Sequence, residues 1–107
     1  MANVKFVYIT ASSPDEAREI GRALVQARLA ACVNIFENMN SIYWWEGEVQ
    51  EGREAVLIAK TTGLLVSALI QEVKRLHSYE NPCVVTLPVE SGSPAFLDWI
   101  HKETSRP

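Results

Sequence analysis

The feature that most limits what this chain can fold into is a pair of long strand-like runs that meet at one tight reversal. Ala31 to Trp45 (ACVNIFENMNSIYWW) is rich in β-branched and aromatic residues, Glu46-Gly47 supplies the reversal, and Glu48 to Thr61 ends in the strand-like AVLIAKT. Arms of this length reach about 45 Å at ~3.3 Å per residue, whereas a helix of about 15 residues covers only ~23 Å. The distal half of such a hairpin has no helix of its own chain to lie against it. It carries Ile42, Tyr43, Trp44, Trp45 and Val49, an apolar group that a soluble protein must bury elsewhere. Contact with further copies of the chain is the simpler expectation. The competing one is a bulge near Asn38 to Asn40 that folds the hairpin back onto its own domain.

The remaining segments fix the order of elements around that hairpin. Asn3 to Thr10 (NVKFVYIT) reads as a first strand with apolar residues on both faces. Ser13-Pro14-Asp15-Glu16 combines a capping Ser, a Pro at the first helical position and a Glu three residues after the cap, and Ala17, Ile20, Leu24 and Ala27 follow at helical spacing to about Arg28. A second helix fits Leu64 to His77 and must stop before Asn81-Pro82. Cys83 to Val89 reads as a last strand, placed at a sheet edge because Pro88 lies within it. Pro94 to Lys102 forms a closing helix. The order β-α-β-β-α-β plus a terminal helix is that of an α+β, ferredoxin-like antiparallel sheet whose two crossover helices cover one face.

Composition narrows the function classes. With 107 residues, 48% of them hydrophobic and 21% charged, the chain has the size and makeup of one folded domain over residues 1–107. Its formal charge is −3 with basic residues scattered among acids, so no positive footprint for nucleic acid exists. No run approaches the ~18 apolar residues of a membrane span, and the N-terminal segment lacks the pattern of a secretory signal. The two cysteines, Cys32 and Cys83, make no disulfide framework. A reducing cytoplasm in which both remain thiols is therefore expected.

Ala31-Cys32-Val33-Asn34-Ile35, Ser41-Ile42-Tyr43-Trp44-Trp45-Glu46-Gly47, Lys60-Thr61-Thr62, His77-Ser78-Tyr79-Glu80-Asn81-Pro82 and Leu87-Pro88-Val89 through Trp99-Ile100 occur in that order along nearly the whole chain. In these segments the sequence resembles the CutA divalent-cation tolerance family. The resemblance implies a ferredoxin-like fold, a homotrimer whose long hairpins exchange strands between subunits, an association with tolerance to copper and other divalent metals, and a likeness to the PII signalling trimers. Two positions depart from the family pattern: Ser78 replaces the Pro expected between His and Tyr, and Cys83 stands where a Glu usually follows the Pro. The second change exchanges a hard carboxylate for a soft thiolate, which favours copper or another soft ion if that position binds metal.

Cys32, His77, Glu80 and Cys83 are accordingly the candidate metal ligands. None is paired at a tight ligand spacing such as CxxC or HxxxH, but in a trimer one thiol or imidazole per chain is presented three times near the symmetry axis or a subunit cleft. Each residue also has a structural reading. His77 can interact with the C-terminal dipole of its helix, Cys32 and Cys83 can be packed strand residues, and Tyr43, Trp44 and Trp45 can be interface core. A PII-like trimer binding a small molecule between subunits is the alternative, with Lys60, Arg75 and Glu80 as cleft residues. Catalysis is not expected. The acylphosphatases that share this fold need an Arg in the loop after the first strand, and Ala11-Ser12-Ser13 has none. Ser12 and Ser13 have no nearby base, and the helix cap accounts for Ser13.

Overall fold

The computed structural model describes residues 3–105. Strand β1 (Val4–Ala11) leads to helix α1 (Pro14–Gln26), then β2 (Cys32–Trp45), β3 (Glu48–Thr62), a 3-10 turn (Gly63–Leu65), helix α2 (Val66–Leu76), β4 (Val84–Pro88) and α3 (Pro94–Thr104). The strands form one antiparallel sheet in the order β2-β3-β1-β4. Pro88 sits in an edge strand, as its missing N–H requires.

The ends of α1 follow from local chemistry. Ser13 Oγ accepts the Glu16 N–H at 3.1 Å, while the Glu16 carboxylate accepts the Ser12 N–H and hydroxyl, both at 2.9 Å. The capping box is thus displaced one residue outward. At the other end Arg28 adopts φ 62°, the Leu29 N–H donates to the Leu24 carbonyl and the Arg28 N–H to that of Val25. This is a Schellman ending with an arginine at the left-handed position usually taken by glycine. The Arg28 guanidinium donates to the carbonyl and the carboxylate of Glu103, tying α1 to α3.

Alternation along the strands separates the two faces of the sheet. Val7, Ile9, Ala11, Ala55, Leu57 and Ala59 lie buried with Ile20 and Leu24 of α1 and Leu69 and Val73 of α2 in one core. The approach of α1 to β2 is close. A Cβ on Gly21 would meet Val33 Cγ1 at 3.2 Å. The other face is covered only in part by α3, and here Lys60 Nζ lies within 6 Å of the ring centroids of Phe6 and Phe96. Val85 and Leu87 stand directly across from Tyr8 and Phe6 on this face, and both remain exposed.

The hairpin turns at Glu46 (φ 50°) and Gly47 (φ 81°), the two successive positive values of a type I′ turn, whose twist suits flanking strands. A bulge between Phe36 and Met39, with Asn38 at φ 61°, interrupts the register. It lies at the expected place but does not fold the hairpin back. Pairing resumes from Met39↔Glu54 to Trp45↔Glu48, and the domain extends 45 Å along its longest axis. Ile42, Tyr43, Trp44, Trp45 and Val49 are all exposed, Trp44 by 74%.

Candidate functional site

Where the bulge ends, β3 presents Glu54 to the segment that joins α2 to β4. The Glu54 carboxylate accepts two hydroxyl hydrogen bonds, from Ser41 Oγ at 2.6 Å and from Tyr79 Oη at 2.7 Å. Burial, the bond to Glu54 and the negative charge of that carboxylate push the Tyr79 phenol well above its ordinary pKa. Desolvation and the same Glu54 charge raise the exposed Cys83 thiol. One carboxylate, one phenol and one serine hydroxyl are therefore joined by hydrogen bonds, with the Cys83 thiol at the start of β4 within their electrostatic reach.

A second set of polar groups holds this region in place. His77 ends α2 with an extended backbone (φ −76°, ψ 144°), and its side chain is 0% exposed. Its Nε2 is 2.7 Å from the Thr10 carbonyl oxygen, which can only accept, and its Nδ1 receives the Tyr79 N–H at 3.0 Å. The ring is thereby neutral, with its proton on Nε2. Glu16 Oε2 accepts the Ser78 N–H at 2.8 Å. Burial of the Glu16 carboxyl is the largest single influence and raises its pKa. The hydrogen bonds from Ser12 and Ser78 together outweigh it and bring the value down to about 2.

The four candidate ligands are not brought together in one chain. Cys32 opens β2, where it pairs across with Lys60, while Cys83 precedes β4 at the opposite edge of the sheet, three strand spacings (about 14 Å) across and four residues (about 13 Å) along. Both nitrogens of His77 are engaged within the chain, one with the Thr10 carbonyl and one with the Tyr79 N–H. Glu80 is exposed in the bend after α2. Among the described residues no group of three or more His, Cys, Asp or Glu side chains is placed to hold a metal ion. The alternative cleft residues also separate. Lys60 belongs to the face of Phe6 and bonds Asn34, whereas Arg75 pairs with Glu72 at 2.6 Å on the surface of α2.

Residues 5–103 match the family of CutA1 divalent ion tolerance proteins. The chain belongs to that family. It is 45% identical over 95 residues to the divalent-cation tolerance protein CutA of Archaeoglobus fulgidus, covering 89% of this chain and 92% of the relative. Its identity to the CutA of Thermus thermophilus is 47% over 98 residues, with 92% and 95% covered. Among solved structures, that of the periplasmic divalent cation tolerance protein CutA from Archaeoglobus fulgidus superposes with a TM-score of 0.93 at 42% identity, covering 95% of this chain and 99% of that one. That of CutA from Xylella fastidiosa gives 0.95 at 35%, covering 97% and 100%.

Against the CutA pattern, the two departures noted in the sequence acquire a structural meaning. Ser78 supplies the N–H that Glu16 accepts, a donor that a proline would lack. Cys83 exposes a thiol just before β4, in the electrostatic field of Glu54. Glu54, Ser41 and Glu16 were not among the candidate ligands, because they lie on separate elements with no common spacing. The Tyr within the His-Ser-Tyr-Glu segment was the one pointer to them.

Proposed function

We propose that this CutA chain acts in divalent-cation tolerance as a homotrimer, and that it binds a soft divalent or monovalent metal, copper foremost, where copies of the chain meet. The observation that carries the reading is an accessible thiol, Cys83, at the start of β4 and within electrostatic reach of the Glu54 carboxylate, in a chain of this family. Within one chain these two groups are too few for an ion. They fit a metal only as a partial set that neighbouring copies extend, and thiolate donors favour copper over harder cations. The uncovered sheet face and the hairpin overhang, both apolar, support assembly. The relatives' names, divalent-cation tolerance protein, support the role. The role proposed is binding and not catalysis, because Ser13 is committed to its helix cap and His77 has no free nitrogen to act as a base. The compartment proposed is the cytoplasm, where Cys83 stays reduced.

Calorimetric titration of the reduced protein with copper and with zinc tests this. Saturable binding that is lost in Cys83→Ser, weakened in Glu54→Gln and unchanged in Cys32→Ser is the expected result. Because the metal displaces the proton of a thiol whose pKa is raised, apparent affinity should climb as pH rises, with proton release detectable across buffers. Absence of saturable binding, or equal binding by Cys83→Ser, overturns the assignment.

A further inference from the structure

His77 is the one fully enclosed ionisable ring at the meeting point of β1, α2 and the segment before β4, and the metal reading makes no use of it. We propose that His77 is a neutral latch that positions Tyr79 against Glu54, and that protonating Nδ1 opens the segment by exchanging the Tyr79 amide for the Glu16 carboxylate.

Three contacts carry this. The Thr10 carbonyl fixes the proton on Nε2, leaving Nδ1 as a bare acceptor, and the Tyr79 N–H occupies that acceptor. The Tyr79 ring lies over the imidazole with centroids 4.7 Å apart, and its hydroxyl reaches Glu54, so the ring, the amide and the hydroxyl of Tyr79 are set by one imidazole. Glu16 Oε1 waits 3.9 Å from Nδ1, outside hydrogen-bond range of the neutral ring. A proton on Nδ1 turns an acceptor into a donor. It repels the Tyr79 N–H and makes Glu16 the one anionic acceptor near the ring among the described residues.

The groups facing the imidazole, taken element by element among the described residues, are few. From α1 there is Glu16, from the following segment Tyr79, and from β1 only the Thr10 carbonyl. On α2 itself Lys74 and Arg75 precede the ring, with Arg75 committed to Glu72. The exchange therefore has one carboxylate as its destination. Glu16 would have to turn partly from Ser12 and Ser78, which loosens the same segment at a second point.

Nitrogen-15 spectra of the imidazoles, with amide hydrogen exchange at Tyr79, test the latch on the intact protein between pH 8 and pH 4.5. His101→Gln assigns the two histidines. The expected result is a protonated Nε2 and a bare Nδ1 for His77 at pH 8, then a fall of tenfold or more in Tyr79 protection through the His77 titration, with α1 amides unaffected. In His77→Gln, whose amide can still donate to Thr10, Tyr79 protection should be lower at pH 8 and flat with pH. In Tyr79→Phe the tautomer should persist. A proton on Nδ1 at pH 8, Tyr79 protection that does not follow the His77 titration, or a ring that stays neutral until the whole domain unfolds would each overturn the proposal.

Discussion

Replacing Trp44 and Trp45 together by Ser is expected to turn the proposed trimer into monomer at micromolar concentration without unfolding the domain. The two side chains are 74% and 55% exposed in the single chain. The area still open on the two indoles is on the order of 300 Å², so covering it contributes roughly 7 kcal/mol per subunit at about 25 cal/mol per Å². Even half of that is more than a hundredfold in an association constant. Light scattering across a dilution series reads the outcome, with Leu64→Ser as the control because Leu64 is 95% exposed on the turn before α2 and away from the hairpin. A double variant of unchanged mass would show that the overhang is not the interface.

The second large effect concerns Glu16. Its carboxyl has a folded pKa of about 2 against an ordinary value of 4.5, a depression that amounts to about 3 kcal/mol at neutral pH. The sign follows from the direction of the shift. The folded state prefers the carboxylate, so the stabilisation is complete above pH 4.5 and is lost as pH falls toward 2. Solvent reaches one side of the carboxylate, and its screening takes part of that figure away. Glu16→Gln should therefore lower stability at pH 7 by about 2–3 kcal/mol in urea unfolding and flatten the loss of stability between pH 4.5 and pH 2. Equal acid sensitivity in the variant and the parent would place the effect elsewhere.

Much of this fold was legible in the chain because local and global signals agree. The capping Ser13 with Pro14, the reversal at Glu46-Gly47 and Pro88 at an edge each name one structure. The misreadings lie at element ends. Helical spacing continues to about Arg28, two residues past the end of α1 at Gln26, because spacing alone cannot reveal a left-handed arginine in a Schellman ending. The second helix loses its first turn to 3-10 geometry at Gly63–Leu65.

The site was less legible for a different reason. Residues whose chemistry stands out in a sequence, such as a cysteine or a histidine, are the ones that suggest metal ligands. The polar cluster is organised instead by Glu54 and Glu16, two of 13 acidic residues that nothing in the chain distinguishes. Ser41 and Glu54 meet only because the bulge resets the register of β2 against β3. His77 stood out, but its surroundings decide its role, and these come from β1 and α1, more than 60 residues away in sequence.

The position of β4 has a consequence in time. The β2-β3 hairpin closes through a two-residue turn, whereas β4 can dock only when residues near position 85 find residues near position 8. Local pairings form early and distant ones late, so the strand that brings in Cys83 is the last to arrive. Until it does, the edge of β1 is an open template for foreign strands. Pulsed amide-exchange labelling during refolding should find the backbone amides of β4 unprotected after those of the β2-β3 hairpin are protected. Simultaneous protection would mean that the sheet forms in one step. In this view β4 marks completed folding, since its arrival covers the edge of β1 and leaves at the rim a strand that carries Pro88.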